Sequence, residues 1–235
     1  APKQAFAGSE DNGRQVIFSG ADFKATFDKQ SGLLVSYQYK KQEFIHNGQG
    51  PRPFFWRAPT DNDYGAKLPV RLKAWKEASY QEPKAESFNV ARDKDTTAVK
   101  VTYRFPQTNA RWDITYKVYG NGVIKVDNRF VAENAQTPMI PRVGLRMQLP
   151  ARITSLTYYG RGPEENYRDR RTSQFIGEYT SGIKDMYEPY VRPQENNHRT
   201  DIYWCTLTDK AQEGLLFVAD RTFEMNVSNY PLESL

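Results

Sequence analysis

The sequence predicts an all-β protein built as a large antiparallel sandwich, and three observations carry this prediction. Apolar and polar residues alternate along the 235 positions far more often than they follow helical spacing. Aromatic residues make up 14% of the chain, and such rings suit pleated, half-buried strand surfaces. Turn residues recur roughly every eight to twelve positions, as in sandwiches. Because no linker interrupts the pattern, we predict a single domain over residues 1–235.

Two hairpins are the clearest elements. Phe23, Ala25 and Phe27 share one face, residues 28–32 form a turn, and residues 34–39 return. In the second hairpin, alternation from Trp112 to Val118 leads into a turn at 120–122 and a returning strand at 124–130. Further strands are predicted at 99–105, 142–150, 153–160, 202–209, 214–220 and 223–230.

One short helix is predicted near residues 69–79. Pro69 suits a first helical turn, and Leu68, Leu72 and Trp75 are spaced to share one helix face. This segment directly follows the stretch FFWRAPTDNDYG at 54–65. The aromatics of that stretch suit the core, while Arg57 can pair with Asp61 or Asp63 to fix a loop.

Composition excludes several classes of protein. The net charge is +5, but basic residues are interleaved with acids and form no arm or basic helix, which argues against nucleic-acid binding. No apolar run is long enough for a membrane span. Two histidines far apart, His46 and His198, and one cysteine give no zinc pattern, and Asp61 and Asp63 lack the remainder of a calcium loop. Cys205 alternates like a strand residue and is predicted to be a buried, inert thiol.

The carboxylates alone do not define a catalytic pair. A glycosidase places two carboxylates across the scissile bond, and the chain offers Glu164, Glu165, Glu188 and Glu195. Glu164 and Glu165 are adjacent and point in opposite directions if extended, so only one can face a sugar. The spacing of these four glutamates identifies neither the general acid nor the nucleophile of a glycosidase. The same loops suit a sugar-binding groove in which aromatic rings stack on the ligand, namely those of Tyr158, Tyr159, Tyr167 and Tyr190.

Three long motifs resemble the large bacterial β-galactosidases of glycoside hydrolase family 2. FFWRAPTDNDYG resembles the family's RAPxDND segment, and YYGRGPEENYRDRR at 158–171 resembles GxGPxENYxDR. DMYEPYVRPQENNHR at 185–199 resembles YxxPYxxPQENGxR, and the hairpin FKATFDKQSGLL resembles the start of the same module. The resemblance covers essentially the whole chain and points to the C-terminal β-sandwich of those enzymes, the small-chain domain.

The resemblance implies a supersandwich of the galactose-mutarotase type that carries no catalytic residue. In that family both catalytic glutamates, and the ligands of Mg and Na ions, lie mainly in an earlier (β/α)8 barrel. We therefore expect an inactive fragment that packs on the barrel and helps shape the sugar pocket of an enzyme hydrolysing terminal β-D-galactosides with retention. Other domains of the same chain, the carbohydrate substrate and a homo-oligomer are the expected partners. The sequence leaves the compartment open between a bacterial cytoplasm and a periplasm.

The motifs also suggest site residues. The resemblance places Tyr64, Gly65, Ala66 and Lys67 at the edge of the pocket, with Gly65 as a hinge. Arg57, Asp61, Asn62 and Asp63 are expected to fix this loop. The candidates on the sugar side are Arg161, Glu164, Asn166, Tyr167, Asp169, Arg170, Tyr190, Glu195, Asn196 and His198.

The sequence departs from the family in two places, and two other functions stay open. No Asp-Ser-Trp motif occurs, so we expect a domain truncated at its C-terminal end, with strands missing and an unpaired sheet edge. Asn197 stands where the family more often has glycine. The alternatives are a carbohydrate-binding module that acts alone, and a mutarotase-like enzyme that uses His198 with Glu164 or Glu195.

Overall fold

The strands form four antiparallel sheets in a computed structural model that describes residues 8–92 and 96–234. The chain divides into two compact units. The first contains the described residues up to Trp56 together with Val70–Pro150, and the second contains Arg57–Pro69 and the residues from Ala151 onward. The predicted all-β sandwich class is confirmed, whereas a single domain over residues 1–235 stays a prediction.

The elements follow one another closely along the described residues. The strands are β1 (Gly8–Asp11), β2 (Gln15–Ser19), β3 (Phe23–Asp28), β4 (Leu34–Tyr39), β5 (Gln42–Glu43), β6 (Arg52–Phe54), β7 (Ser87–Arg92), β8 (Thr96–Phe105), β9 (Ala110–Tyr119), β10 (Ile124–Ala132), β11 (Gly144–Arg146), β12 (Ser155–Gly162), β13 (Phe175–Gly182), β14 (His198–Thr208) and β15 (Gly214–Asn226). The helices are α1 (Asp61–Gly65), α2 (Leu68–Arg71) and α3 (Lys73–Tyr80).

The first unit is a sandwich of two larger sheets. One sheet has the order β1-β2-β3-β4-β5, the other has the order β10-β9-β8-β7, and β6 pairs with β11. The rings of Phe27 on β3 and Tyr116 on β9 meet edge to face with centroids 5.2 Å apart. Because both side chains are fully buried, their contact joins the inner faces of the two sheets.

Both predicted hairpins are confirmed. β3 pairs with β4 and β9 pairs with β10, in the register Trp112 opposite Phe130. The turn of the first hairpin requires glycine at position 32, where φ is +74°. A Cβ atom there would also lie 2.5 Å from Val101 Cγ1, which is far too close. The local sequence therefore specifies this turn.

The core of the first unit is aromatic, as the composition predicts. The Phe55 ring lies at centroid distances of 4.7 Å from Trp75, 4.9 Å from Phe105 and 5.4 Å from Trp112. Phe54 and Trp56 are buried as well. The three aromatics that precede Arg57 are therefore core residues, which confirms this part of the prediction.

The second unit contains one four-stranded sheet in the order β13-β12-β14-β15. Tyr158 on β12 pairs with Cys205 on β14, and both side chains are buried. Burial raises the pKa of the Cys205 thiol to about 12. A buried thiol at this strand position confirms the prediction.

The helical region differs from the single helix predicted near residues 69–79. The structure has two helices there, α2 and α3, which are separated at Leu72. It also has α1, in a segment that was predicted to be a loop. The residue before α1, Thr60, forms a capping box with Asp63, which explains a helix of only 5 residues.

The longest helix in the described ranges, α3, has 8 residues. No helix there is long and apolar enough to cross a membrane.

Candidate functional site

The segment from Arg57 to Asp63 is fixed at its base by Asp63. An Asp63 oxygen lies 2.7 Å from an Arg57 guanidinium nitrogen, and its other oxygen accepts the Thr60 backbone N–H at 3.0 Å. The Asp63 side chain is 8% exposed and that of Arg57 is 34% exposed, so the carboxylate of this pair is shielded from water. The sequence left open whether Arg57 pairs with Asp61 or Asp63, and the structure selects Asp63.

The outer side of α1 makes a different contact. Arg192 donates a hydrogen bond of 2.8 Å to Asp61 Oδ1. The Arg192 guanidinium also lies 5.2 Å from the centroid of the Tyr64 ring, at cation–π distance. One arginine from the third sequence motif therefore contacts two residues of the first motif.

The four residues proposed for the edge of a pocket are all exposed: Tyr64, Gly65, Ala66 and Lys67. A Cβ atom added to Gly65 would meet nothing within 4 Å. The left-handed backbone in this segment occurs at Lys67, where φ is +56°, and not at Gly65. The hinge role of Gly65 stays a prediction.

Glu165 is the centre of a polar cluster in the second motif. Its Oε1 accepts hydrogen bonds from Arg170 and from the Tyr190 hydroxyl, and its Oε2 accepts the Asn197 backbone N–H at 2.9 Å. The Arg170 guanidinium also lies 5.3 Å from the Tyr167 ring. Glu165 was predicted only as one of four candidate carboxylates and not as a residue on the sugar side. The adjacent Glu164, which was predicted on that side, has an exposed side chain.

His198 is enclosed by side chains of the same unit. Its ring stacks on Tyr167 with centroids 5.1 Å apart and planes 14° apart. Its Nδ1 lies 2.8 Å from Asn226 Oδ1, and its Nε2 lies 3.2 Å from Glu224 Oε2. The observed partners of His198 are therefore neither Glu164 nor Glu195, one of which it would use in a mutarotase-like enzyme.

Glu195 and Asn196 are buried and bind backbone and amide groups. Glu195 Oε1 accepts a hydrogen bond of 3.1 Å from the Asn226 amide. The Asn196 side chain accepts from the Glu188 backbone N–H at 3.0 Å and donates to the Glu188 carbonyl at 2.6 Å. These contacts close the segment between residues 188 and 196 into a fixed loop.

Arg161 takes part in a second ion-pair cluster. Its Nε lies 2.7 Å from an Asp201 carboxylate oxygen, which Arg171 also contacts at 3.1 Å. Asn166 binds the backbone of the same loop from the interior, since its amide donates to the Arg161 carbonyl at 3.0 Å. Asp169, which the motif also includes, is exposed.

The aromatic side chains do not all form the surface that stacking on a sugar would need. Tyr158 is 1% exposed and Tyr167 is covered by the His198 ring. Burial raises the pKa of the Tyr167 phenol, so this hydroxyl stays protonated at ordinary pH. Of the four proposed tyrosines, Tyr159 is the most open at 39%, and its ring packs on Tyr203.

Metal binding finds no support in the described residues. Nowhere in residues 8–92 and 96–234 do three or more His, Cys, Asp or Glu side chains converge as ligands. Asp61 and Asp63, which the sequence analysis considered as cation ligands, instead bind Arg192 and Arg57.

Sequence reasoning missed residues for different physical reasons. Strand alternation places the side chains of Glu164 and Glu165 on opposite faces, but it does not indicate which of the two faces inward. Arg192, Glu224 and Asn226 carry no local signal, because their partners are distant in sequence. Only the folded chain brings them together.

These observations define the class of the protein as an all-β sandwich whose polar loops are fixed by buried side chains. The chain belongs to the beta-galactosidase small chain family, whose sequence profile matches residues 19–235.

The curated relatives are much longer proteins named beta-galactosidase. The chain is 35% identical over 221 residues to one from Priestia megaterium, covering 94% of the chain and 21% of the relative. It is 34% identical over 223 residues to one from Lactobacillus delbrueckii subsp. bulgaricus, with the same two shares. A relative from Clostridium acetobutylicum is 39% identical over 165 residues, or 69% of the chain and 18% of the relative. The chain thus spans about a fifth of the length of these relatives.

Proposed function

We propose that this chain is a noncatalytic domain of a longer β-galactosidase and acts in the hydrolysis of terminal β-D-galactosides only as part of that protein. The observation that carries the proposal is the match over 94% of this chain to enzymes of which it covers 21%. In this proposal the catalytic barrel lies in the remaining four fifths of the longer protein, so this chain contributes to an active site rather than forming one.

The contacts of the buried glutamates support the absence of catalysis in the chain itself. A retaining glycosidase needs two carboxylates about 5 Å apart on either side of the scissile bond, free to reach the sugar. Glu165 is bound by Arg170, Tyr190 and a backbone N–H. Glu195, which is 2% exposed, is bound by the Asn226 amide. Both carboxylates therefore make structural contacts that would compete with a catalytic role in glycoside hydrolysis.

In this proposal the glutamates of the reaction, together with the Mg and Na ions, belong to the remaining domains. The glycosyl intermediate forms on a glutamate outside this chain, and water resolves it with retention. The other domains, among them the catalytic barrel, are the partners of this chain, and the assembled protein is a homo-oligomer.

The contribution of the chain is to shape the sugar pocket with the exposed residues 64–67. This segment is attached to the fixed base formed by Arg57 and Asp63, so its position is defined while its side chains stay accessible. A rigid base with an accessible edge suits a segment that contacts a substrate bound mainly by another domain.

Hydrolysis of a chromogenic β-galactoside tests the proposal. The longer protein should be active, the longer protein without this segment should be inactive, and the chain alone should be inactive and should bind no galactose in a calorimetric titration. In a second measurement the chain is added to the shortened protein. Recovery of activity would support a noncatalytic role of the chain in the longer protein. Binding of galactose by the chain alone would instead favour a carbohydrate-binding module.

A further inference from the structure

Arg192 joins two motifs of the second unit through two contacts on one helix face. It binds Asp61 Oδ1 at 2.8 Å and lies 5.2 Å from the Tyr64 ring. Asp61 and Tyr64 are three positions apart on α1, so their side chains are neighbours on the same face. We refer to Arg192, Asp61 and Tyr64 as the clasp.

The base of α1 and its outer face are held differently. Asp63 lies two positions after Asp61, which turns its side chain to the opposite side of the helix. There it is buried against Arg57 and the Thr60 cap. The clasp is open to water instead, with Arg192 and Asp61 side chains 60% and 71% exposed.

Arg192 is carried by a segment that is itself fixed. On one side, the Tyr190 hydroxyl donates to Glu165. On the other, Asn196 exchanges two hydrogen bonds with the backbone of Glu188. The prolines at 189 and 193 restrict the chain between these points. The Arg192 guanidinium therefore extends from a fixed segment to one face of α1.

We propose that Arg192 is a positioning residue that sets the place of residues 64–67 and, through them, the affinity for the galactoside. The second part rests on the proposed function. An exposed ion pair and an exposed cation–π contact each shift an equilibrium by a few fold, so together they favour the closed clasp by about three- to thirtyfold. Such a bias orders the segment without fixing it in a single position.

Hydrogen exchange in the 235-residue chain tests the clasp without any assay of activity. The Ala66 and Lys67 backbone N–H groups donate to Asn62 and Tyr64 carbonyls at 3.0 Å, and they exchange when the segment opens. In Arg192→Gln we expect exchange at both amides to rise by about three- to thirtyfold. Arg192→Lys, which keeps the charge, should lie between the wild type and Arg192→Gln.

Matched variants separate the two contacts from a general change of charge. Arg221→Gln removes another exposed arginine, from β15, and should leave the exchange unchanged. Tyr64→Phe keeps the ring and should also leave it unchanged, whereas Tyr64→Leu should accelerate it. Added NaCl should bring the wild type closer to Arg192→Gln, because it screens the exposed pair. Equal exchange in Arg192→Gln and Arg221→Gln would overturn the proposal.

Kinetics of the longer protein test the link to the sugar. Arg192→Gln should raise KM by about two- to tenfold with kcat changed less, as expected for a contact that orders a binding segment. An unchanged KM alongside faster exchange would overturn the role in affinity. If the unmodified longer protein hydrolyses no galactoside, the proposed function fails, and the exchange result still decides whether the clasp exists.

Discussion

The Asn166 carboxamide oxygen accepts two hydrogen bonds from Thr200, at 3.0 Å from the backbone nitrogen and 2.6 Å from the hydroxyl. The Asn166 amide donates to the carbonyls of Arg161 and Glu164, each at 3.0 Å. Asn166 is fully buried, so the chain itself supplies every partner of this side chain. The loop that follows β12 is therefore attached to β14 through one asparagine.

Asn166→Asp tests this attachment. The substitution keeps the shape of the side chain but places a carboxylate oxygen, which accepts and does not donate, beside the two carbonyls. We expect the free energy of unfolding to fall by about 2–4 kcal/mol. Asn134→Asp, on an exposed turn, is the matched control and should change stability by less than about 0.5 kcal/mol. Urea denaturation measures both. Equal effects of the two substitutions would show that the buried hydrogen bonds contribute little.

Asp63 and Asp61 should respond differently to the same substitution. Asp63→Asn weakens a shielded ion pair and a helix cap, and we expect a loss of about 1–3 kcal/mol. Asp61→Asn affects only an exposed pair and should cost less than about 0.5 kcal/mol. Thermal unfolding of both variants compares them directly. A larger effect at Asp61 would contradict the assignment of Asp63 as the base of the segment.

Asp28 makes the first hairpin sensitive to acid. Burial alone would raise the pKa of Asp28. This effect is outweighed by hydrogen bonds from the Ser31 backbone N–H and hydroxyl and then from Arg14, which hold the pKa below 3.8. A lowered pKa means that the carboxylate stabilises the folded state above pH 3.8 and loses this effect as pH falls through the folded value. Asp28→Asn should therefore cost about 1 kcal/mol at pH 6 and progressively less as pH falls from 3.8 through the folded pKa.

Urea midpoints of wild type and Asp28→Asn between pH 2 and pH 7 give this difference directly, the range being about that over which a carboxyl titrates. A difference that stays constant across the acid range would show that the charge of Asp28 does not act on the turn.

Cys205 should react slowly with thiol reagents. Burial raises its pKa to about 12, so the reactive thiolate at pH 8 is on the order of a thousandfold scarcer than in an unfolded chain. The neutral thiol stabilises the fold at pH below its ordinary pKa, and this effect is lost as pH rises towards 12. Alkylation by iodoacetamide in buffer and in denaturant measures the difference, and with one cysteine the product is unambiguous. Equal rates in the two conditions would contradict burial.

Asn197 occupies a left-handed backbone position, with φ of +61°. This conformation explains why glycine is the residue that the resembling family more often has there. Asn197→Gly and Asn197→Val both lose the hydrogen bond from the side chain to the Val227 carbonyl. Their difference therefore reports the backbone, and we expect the valine variant to be less stable by about 1–3 kcal/mol in urea denaturation. A valine variant as stable as the glycine variant would argue against a left-handed residue.

The sequence was sufficient for features that depend on neighbouring residues. The hairpins around Gly32 and Gly122 follow from alternation and turn chemistry, and the two strands of each were predicted to pair. The cap of α1 was also readable, since Thr60 and Asp63 have the spacing of a capping box. The cap was not predicted because Asp63 is equally suited to an ion pair with Arg57, and in the fold it does both.

The candidate site was only partly predictable for a related reason. Asp61 and Arg192 are 131 positions apart, and no local pattern marks either as the partner of the other. Similarly, alternation separates Glu164 from Glu165 but contains no information about which side faces the interior. That choice depends on Arg170 and Tyr190, whose positions follow from the fold of the whole unit.

The second unit is discontinuous in sequence, and this has a consequence during synthesis on the ribosome. Residues Arg57–Pro69 are made first, but the rest of their unit begins only at Ala151, after the intervening part of the other unit. At typical elongation rates this gap takes about 4 to 16 s. Throughout that interval Asp61 and Tyr64 lack their partner Arg192. The nascent segment is therefore a natural target for chaperones and proteases. Slower translation lengthens its exposure to them.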